Sequence, residues 1–283
     1  MSNIIKAIIN MLDNPITKIT SYHDRRNRAN SMGVALEEYV KDLFAGTINE
    51  NDETVRNKTI SEIFSYLGNT NNPPDVILKG GDAIEVKKIE SIGSALALNS
   101  SYPKHKLYSN SSMITNECKI CEGKDWIEKD LIYTIGVVKN NQLSNLAMVY
   151  GVDYAAKDEV YKRISDTISD GVNSITGVEF SKTRELGRVN RVDPLGITYL
   201  RVRGMWGIEN PFKVFNYIYE RDRNAKFNFM GIINHEKYYS LKYIDDLESM
   251  VGNIKNFKMK DIEIKNPNNP SQLKEAKLIT FSY

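Results

Sequence analysis

Apolar residues along this chain recur with two periods, and the two periods alternate. Ile4 to Leu12 is apolar but broken by Lys6 and Asn10, which predicts a short amphipathic helix. Residues 31–45 place Leu36, Tyr39, Val40, Leu43 and Phe44 on one stripe, the spacing of a second helix. Residues 46–58 are polar and read as a surface excursion. Two strands follow, Asp75–Lys79 and Asp82–Ile89, separated by a glycine turn. Leu131–Val138 and Leu146–Tyr150 predict two more, joined by the turn Lys139–Asn145. From Tyr154 to Ser169 the spacing is helical again, with Val160, Ile164 and Ile168 on one face.

Beyond this point the expected elements are a strand at Ile197–Val202, a helix at Phe212–Tyr219 and a strand at Phe227–Ile233. A helix at Leu241–Met250 and a hairpin in the last thirty residues complete the chain. Alternating strands and helices predict an α/β or α+β class. No Pro/Gly/Ser-rich linker divides the 283 residues. The expected organisation is one compact unit, with a catalytic core over 1–170 and a DNA-recognition and dimerisation part over 171–283.

Composition changes this picture little. Hydrophobic content of 41% and charged content of 26% are ordinary for a globular protein. No apolar run reaches the length of a membrane span and no export signal opens the chain, so no membrane role and a cytoplasmic location are expected. The net charge of +2 is small, but its distribution is uneven. Ser181–Lys226 holds ten Lys+Arg against five Asp+Glu, and His23–Arg28 forms a second basic knot. Local basic stripes of this kind suit nucleic acid.

The chemistry concentrates at Pro74-Asp75 and Glu85-Val86-Lys87. Side chains at i and i+2 of a strand share a face, so Glu85 and Lys87 point together while Ile84 and Val86 turn into the core. Whether Asp75 joins them depends on the turn. A two-residue Gly80-Gly81 loop would set Asp75 opposite Val86, facing away. A three-residue loop shifts the register by one and sets Asp75 opposite Glu85 or Lys87. For Asp75 to join the site, a three-residue turn or a bulge is therefore expected here, not the two-residue turn that Gly-Gly suggests. Two converging carboxylates make a hard oxygen site for Mg²⁺, with Lys87 suited to hold a water or offset transition-state charge. On the preceding helix, at about 100° per residue, Glu37 borders the apolar stripe and can reach such a site, whereas Glu38 faces solvent.

These residues resemble the PD-(D/E)XK nuclease superfamily, and longer blocks narrow the resemblance. They are Arg26-Asn27-Arg28-Ala29-Asn30-Ser31-Met32-Gly33, Asn72-Pro73-Pro74-Asp75, Gly81 to Lys88 and Ala97-Leu98-Asn99-Ser100-Ser101, with Leu186 to Asn190 and Leu200 to Trp206 in the basic half. Together they resemble the NgoPII-type family of type II restriction endonucleases over nearly the whole chain. The resemblance implies a nuclease-like mixed central sheet flanked by helices. It also implies Mg²⁺-dependent double-strand cleavage of GGCC by a homodimer, and a partner methyltransferase that protects host DNA.

A G·C-rich site asks for arginine donors to guanine. Arg201 and Arg203, two apart on a strand, are the expected base readers, while Arg184, Arg188 and Arg191 are expected to grip phosphates. Asn99, Ser100, Ser101, Lys104 and Lys106 follow the catalytic strand and suit contacts near the scissile bond. Cys118-Lys119-Ile120-Cys121 is a lone Cys pair without the four ligands of a structural zinc. Two other readings share these residues: a structure-specific repair or recombination nuclease, and a DNA-binding protein without catalysis.

Overall fold

The computed structural model describes residues 1–19, 28–69, 72–99, 101–123, 125–183 and 185–283, giving the backbone alone for 28–32. Ser100, Arg184 and most of the basic knot, His23–Asn27, lie outside the described residues.

Three helices come first, α1 (Ile4–Asp13), α2 (Arg28–Ala45) and α3 (Glu53–Ile63). Five strands follow, β1 (Phe64–Asn69), β2 (Asn72–Leu78), β3 (Ala83–Ile89), β4 (Leu96–Asn99) and β5 (Lys106–Tyr108). Then come α4 (Asn116–Ile120), β6 (Glu128–Lys139), β7 (Gln142–Tyr150), α5 (Gly151–Tyr154) and α6 (Asp158–Asn173). The basic segment supplies β8 (Glu179–Phe180), β9 (Gly187–Asn190), β10 (Leu200–Val202), β11 (Trp206–Ile208) and α7 (Pro211–Val214). The chain closes with β12 (Asn228–Asn234), α8 (His235–Ser240), α9 (Ile244–Ser249), β13 (Lys258–Asn266) and β14 (Asn269–Ser282).

A mixed sheet runs in the order β1-β2-β3-β6-β7-β12-β14-β13, with β5 paired to β6. The parallel pairs are β3 with β6 and β7 with β12. Strands β10-β9-β8 form a separate small sheet, and β11 pairs with β4. The expected class, a mixed α/β fold around a central sheet flanked by helices, is the one observed.

Each face of the sheet carries its own core. One buries α1 and the apolar stripe of α2 (Leu36, Val40 and Leu43) over Val76, Ile84, Val86 and Ile132. Here Leu36 presses on β6 so closely that a Cβ at Gly136 would lie 2.7 Å from its methyls. The other face buries Ile77, Ala83, Ile89, Tyr133 and Ile135 under β4, β5 and α7. Helix α1 is buried on most of its surface, so it is a core element and not a one-sided surface helix.

Several expectations need correction. The polar stretch 46–58 ends in α3, which Asp52 starts by accepting from the N–H groups of Thr54 and Val55. Its inward face is carried by Arg56 as well as Ile60, and apolar periodicity cannot register an arginine. Arg56 bonds Glu38 and Asp42, each at 2.7 Å, so Glu38 is not the solvent residue that helical angles suggested. The β6–β7 turn is shorter than expected, only Asn140-Asn141, both at positive φ as a tight hairpin turn requires. The strand at 197–202 begins only at Leu200, and the helix at 212–219 ends at Val214. The helix predicted at 241–250 is α9 alone, shortened to Ile244–Ser249, and α8 before it was not expected.

Candidate active site

The turn between β2 and β3 decides the site, and it is three residues long. Val76 pairs with Ile84 and Ile77 with Ala83, and Leu78 N–H donates to the Asp82 carbonyl. Lys79, Gly80 and Gly81 are left as the loop. Gly81 N–H closes back on the Leu78 carbonyl at 2.9 Å, and Gly80 takes φ +65°, the left-handed angle that glycine adopts without strain. Continuing this register sets Asp75 opposite Glu85, one of the two same-face registers that strand parity allowed.

Asp75, Glu85 and Lys87 therefore line one open cleft of about 240 Å³, together with Asn99, Ser101, Tyr102, Lys104 and Tyr133. Asp75 Oδ2 accepts from Val86 N–H at 2.6 Å. Lys87 Nζ meets Glu85 Oε1 at 2.5 Å. The second Glu85 oxygen, Oε2, is buried without a hydrogen-bond partner. A buried carboxylate oxygen left unbonded is costly unless something positive completes it. Burial, and then the Glu85 charge, push the Asp75 carboxyl up to about 8, so without a cation it holds a proton at neutral pH. The Glu85 charge and hydrogen bond hold the Lys87 ammonium protonated against its burial. Hard oxygen donors, one of them unbonded, fit a small divalent cation that keeps its waters. Among the described residues no three His, Cys, Asp or Glu side chains converge as a closed metal cage.

Glu37 lies on α2, which packs on the sheet face opposite the cleft, and it is not part of the cleft wall. Burial raises its pKa, and its charge is felt by Lys87 and Glu85. Lys104 is 5% exposed, stands 4.7 Å over the Tyr102 ring and lines the cleft. Burial lowers its pKa, partly countered by Glu85. Lys106 points elsewhere, to Glu128 at 2.5 Å and Asp130 at 3.7 Å. Asn99 ends β4 at positive φ, opposite Trp206 of β11. Trp206 packs edge-on to Tyr102 and Tyr161, which are themselves stacked at 5.6 Å. The basic segment thus touches the cleft through an aromatic cluster.

Arg201 and Arg203 project from one side of β10 and its extension, and Glu185 holds both. Arg188 stacks over Tyr199 at 5.0 Å, and Arg191 lies 3.5 Å from Glu179. Three supporting residues escaped the sequence reading. Glu185 gathers the two arginines, Gly68 lets β1 approach Pro74-Asp75, and Tyr133 holds Lys104 N–H at 2.7 Å. At Gly68 a Cβ would lie 2.4 Å from the Pro74 carbonyl and 2.6 Å from that of Asp75. A glycine in a strand interior marks such an approach, although it cannot say to what.

No helix among the described residues is long and apolar enough to cross a membrane. No solved structure matches the chain. It is 56% identical over 280 residues to the type II restriction enzyme NgoPII of Neisseria gonorrhoeae, covering 99% of each protein. The family model described as NgoPII restriction endonuclease matches residues 2–265. With a central mixed sheet that presents two carboxylates and a lysine in one cleft, the chain belongs to the NgoPII restriction endonuclease family.

Proposed function

We propose that this restriction endonuclease makes Mg²⁺-dependent double-strand cuts in a short palindromic site, GGCC, and that Asp75, Glu85 and Lys87 carry the reaction. The observation that carries the reading is the buried, unbonded Oε2 of Glu85, a residue that lines one cleft with Asp75 and Lys87. Asp75 and Glu85 would hold the ion, which when bound polarises the phosphate and lowers the pKa of a water. Lys87 stays charged and sits against Glu85, placed to hold the attacking water and to offset charge on the phosphorus. Glu37 acts through its charge from behind the sheet. Lys104, Ser101 and Asn99 line the far wall and suit the backbone phosphates next to the scissile bond, with Ser100 in the same segment. Lys106 serves the outer edge, where its ion pairs would open to phosphate.

Arg201 and Arg203 are the proposed readers of guanine O6 and N7, with Glu185 holding them side by side before DNA arrives. Arg188 and Arg191, with Arg184, would grip phosphates and set the register. A palindrome has two equivalent scissile bonds, which a homodimer meets with two copies of one cleft. Such an activity in a cytoplasm requires a methyltransferase that marks the host's own sites.

Digestion of unmethylated plasmid DNA with Mg²⁺ tests the reading. Discrete fragments whose ends map to GGCC are expected. Smearing would overturn the reading, and cutting confined to branched DNA would replace it with a structure-specific nuclease.

A further inference from the structure

The turn that sets Asp75 opposite Glu85 has a competitor written in its own sequence. Gly80-Gly81 suits a two-residue hairpin loop, in which Lys79 would pair with Asp82 and β2 would slide by one residue along β3. That slide turns Asp75 to the helix-covered face and dismantles the cleft. Something must favour the longer turn.

Two side chains from distant segments take up the loop's free backbone groups. Glu122, just after α4, accepts from Gly80 N–H, with its two oxygens at 3.0 and 3.2 Å. Lys129, on β6, donates to the Gly81 carbonyl at 2.9 Å. The two pair with each other at 3.1 Å, with side chains only 8% and 9% exposed. Ser65 of β1 donates to Glu122 at 2.8 Å, and the Trp126 ring lies 5.7 Å from the Lys129 ammonium. Burial alone would raise the Glu122 carboxyl, but bonds from Ser65, Lys129 and Gly80 outweigh it and hold the group ionised. A one-residue slide moves β2 by about 3.3 Å, beyond the reach of these bonds. The three-residue turn is the one that gives the charged pair its two backbone partners in the loop.

We propose that Glu122 and Lys129 are positioning residues for cleavage, holding Gly80 and Gly81 so that Asp75 stays opposite Glu85. This gives the Cys118–Cys121 segment a purpose that its thiols do not. Cys118 is buried, Cys121 packs 3.7 Å from Ser65, and the residue that follows them delivers the clamp. The inference rests on the proposed Asp75–Glu85–Lys87 site, so its test includes Asp75→Asn beside the clamp variants.

Glu122→Ala, Glu122→Gln and Lys129→Met are compared with wild type by far-ultraviolet dichroism, calorimetric Mg²⁺ binding, DNA affinity without metal, and single-turnover cleavage. The clamp variants are expected to stay folded and to bind DNA within about twofold of wild type. Mg²⁺ affinity and cleavage should each fall by roughly 10- to 100-fold, the usual cost of losing a residue that orients a ligand. Glu122→Gln, which keeps an acceptor for Gly80, should be less impaired than Glu122→Ala. Should Glu122→Ala not fold, the near-isosteric Gln and Met variants carry the test. Folded Gln and Met variants with wild-type Mg²⁺ affinity and wild-type cleavage, beside an inactive Asp75→Asn, overturn the clamp alone. An Asp75→Asn enzyme that cuts normally overturns the site and the clamp together.

Discussion

Replacing Asp75 with asparagine should make the metal-free protein more stable while removing its activity. The native carboxyl holds its proton until about pH 8, because burial and Glu85 oppose its charge. In the unfolded chain the same group ionises near pH 3.9. An acid whose folded pKa lies above its unfolded value leaves extra protons on the native state. Stability of the metal-free wild type therefore falls as pH climbs through the window from about 4 to about 8. At pH 7, about three units above the unfolded value, the linkage costs at most ~4 kcal/mol, and at pH 5 about 1.5 kcal/mol. Asp75 keeps an edge in water, so a measured gain of about 1–3 kcal/mol at pH 7 is expected. Asparagine has the shape of the protonated acid, can still accept from Val86 N–H, and has no charge to bury. Melting temperatures of both proteins in EDTA, taken from pH 5 to pH 8, should diverge by several degrees as pH rises. A difference that stays flat with pH, or an asparagine variant less stable than wild type at pH 8, would refute the reasoning.

Three further outcomes follow from the packing. Gly68→Ala forces β1 off Pro74-Asp75, where a Cβ would lie 2.4 Å from a carbonyl oxygen. It should cost roughly 1–3 kcal/mol in urea denaturation, and cleavage should drop about tenfold or more while DNA affinity holds. Arg56→Met leaves buried Asp42 without its cation, with only the Thr47 hydroxyl, and leaves Glu38 with Lys41 alone, so a loss of about 3 kcal/mol of unfolding free energy is expected. Arg201→Ala and Arg203→Ala should each weaken binding to the cognate duplex by about 1–3 kcal/mol, with little effect on unrelated duplexes in the same filter-binding assay.

Much of the site was legible because strand parity is strict. Once β2 and β3 are recognised, two residues apart means the same face, and only the loop length remained to be fixed. That Asp75 shares the face of Glu85 and Lys87 followed from parity once a longer turn was required, while the choice of Glu85 as its partner came from the fold. Helix α3 was hidden for the opposite reason. Its inward face is anchored by Arg56, whose ion pairs do the work that apolar contacts do elsewhere, so a hydrophobic pattern reads it as loop. The same blindness made Glu38 look like a solvent residue, since a helical wheel knows nothing of the neighbouring helix. Glu122, Lys129 and Glu185 could not be found from spacing, because each acts on backbone or side chains that are distant in sequence or joined only by the fold. The short span of β10 reflects an edge element held by three pairings, too few for periodicity to delimit.

The most direct test of the central claim is the single-turnover cleavage rate of Lys87→Ala on the wild-type enzyme's own mapped site at saturating Mg²⁺, with DNA affinity measured in parallel without metal. A cleft in which Lys87 meets the developing charge predicts a rate lower by about 100- to 1,000-fold or more, with affinity within a few-fold of wild type. A variant that cuts at close to the wild-type rate would place the chemistry outside the Asp75–Glu85–Lys87 cleft.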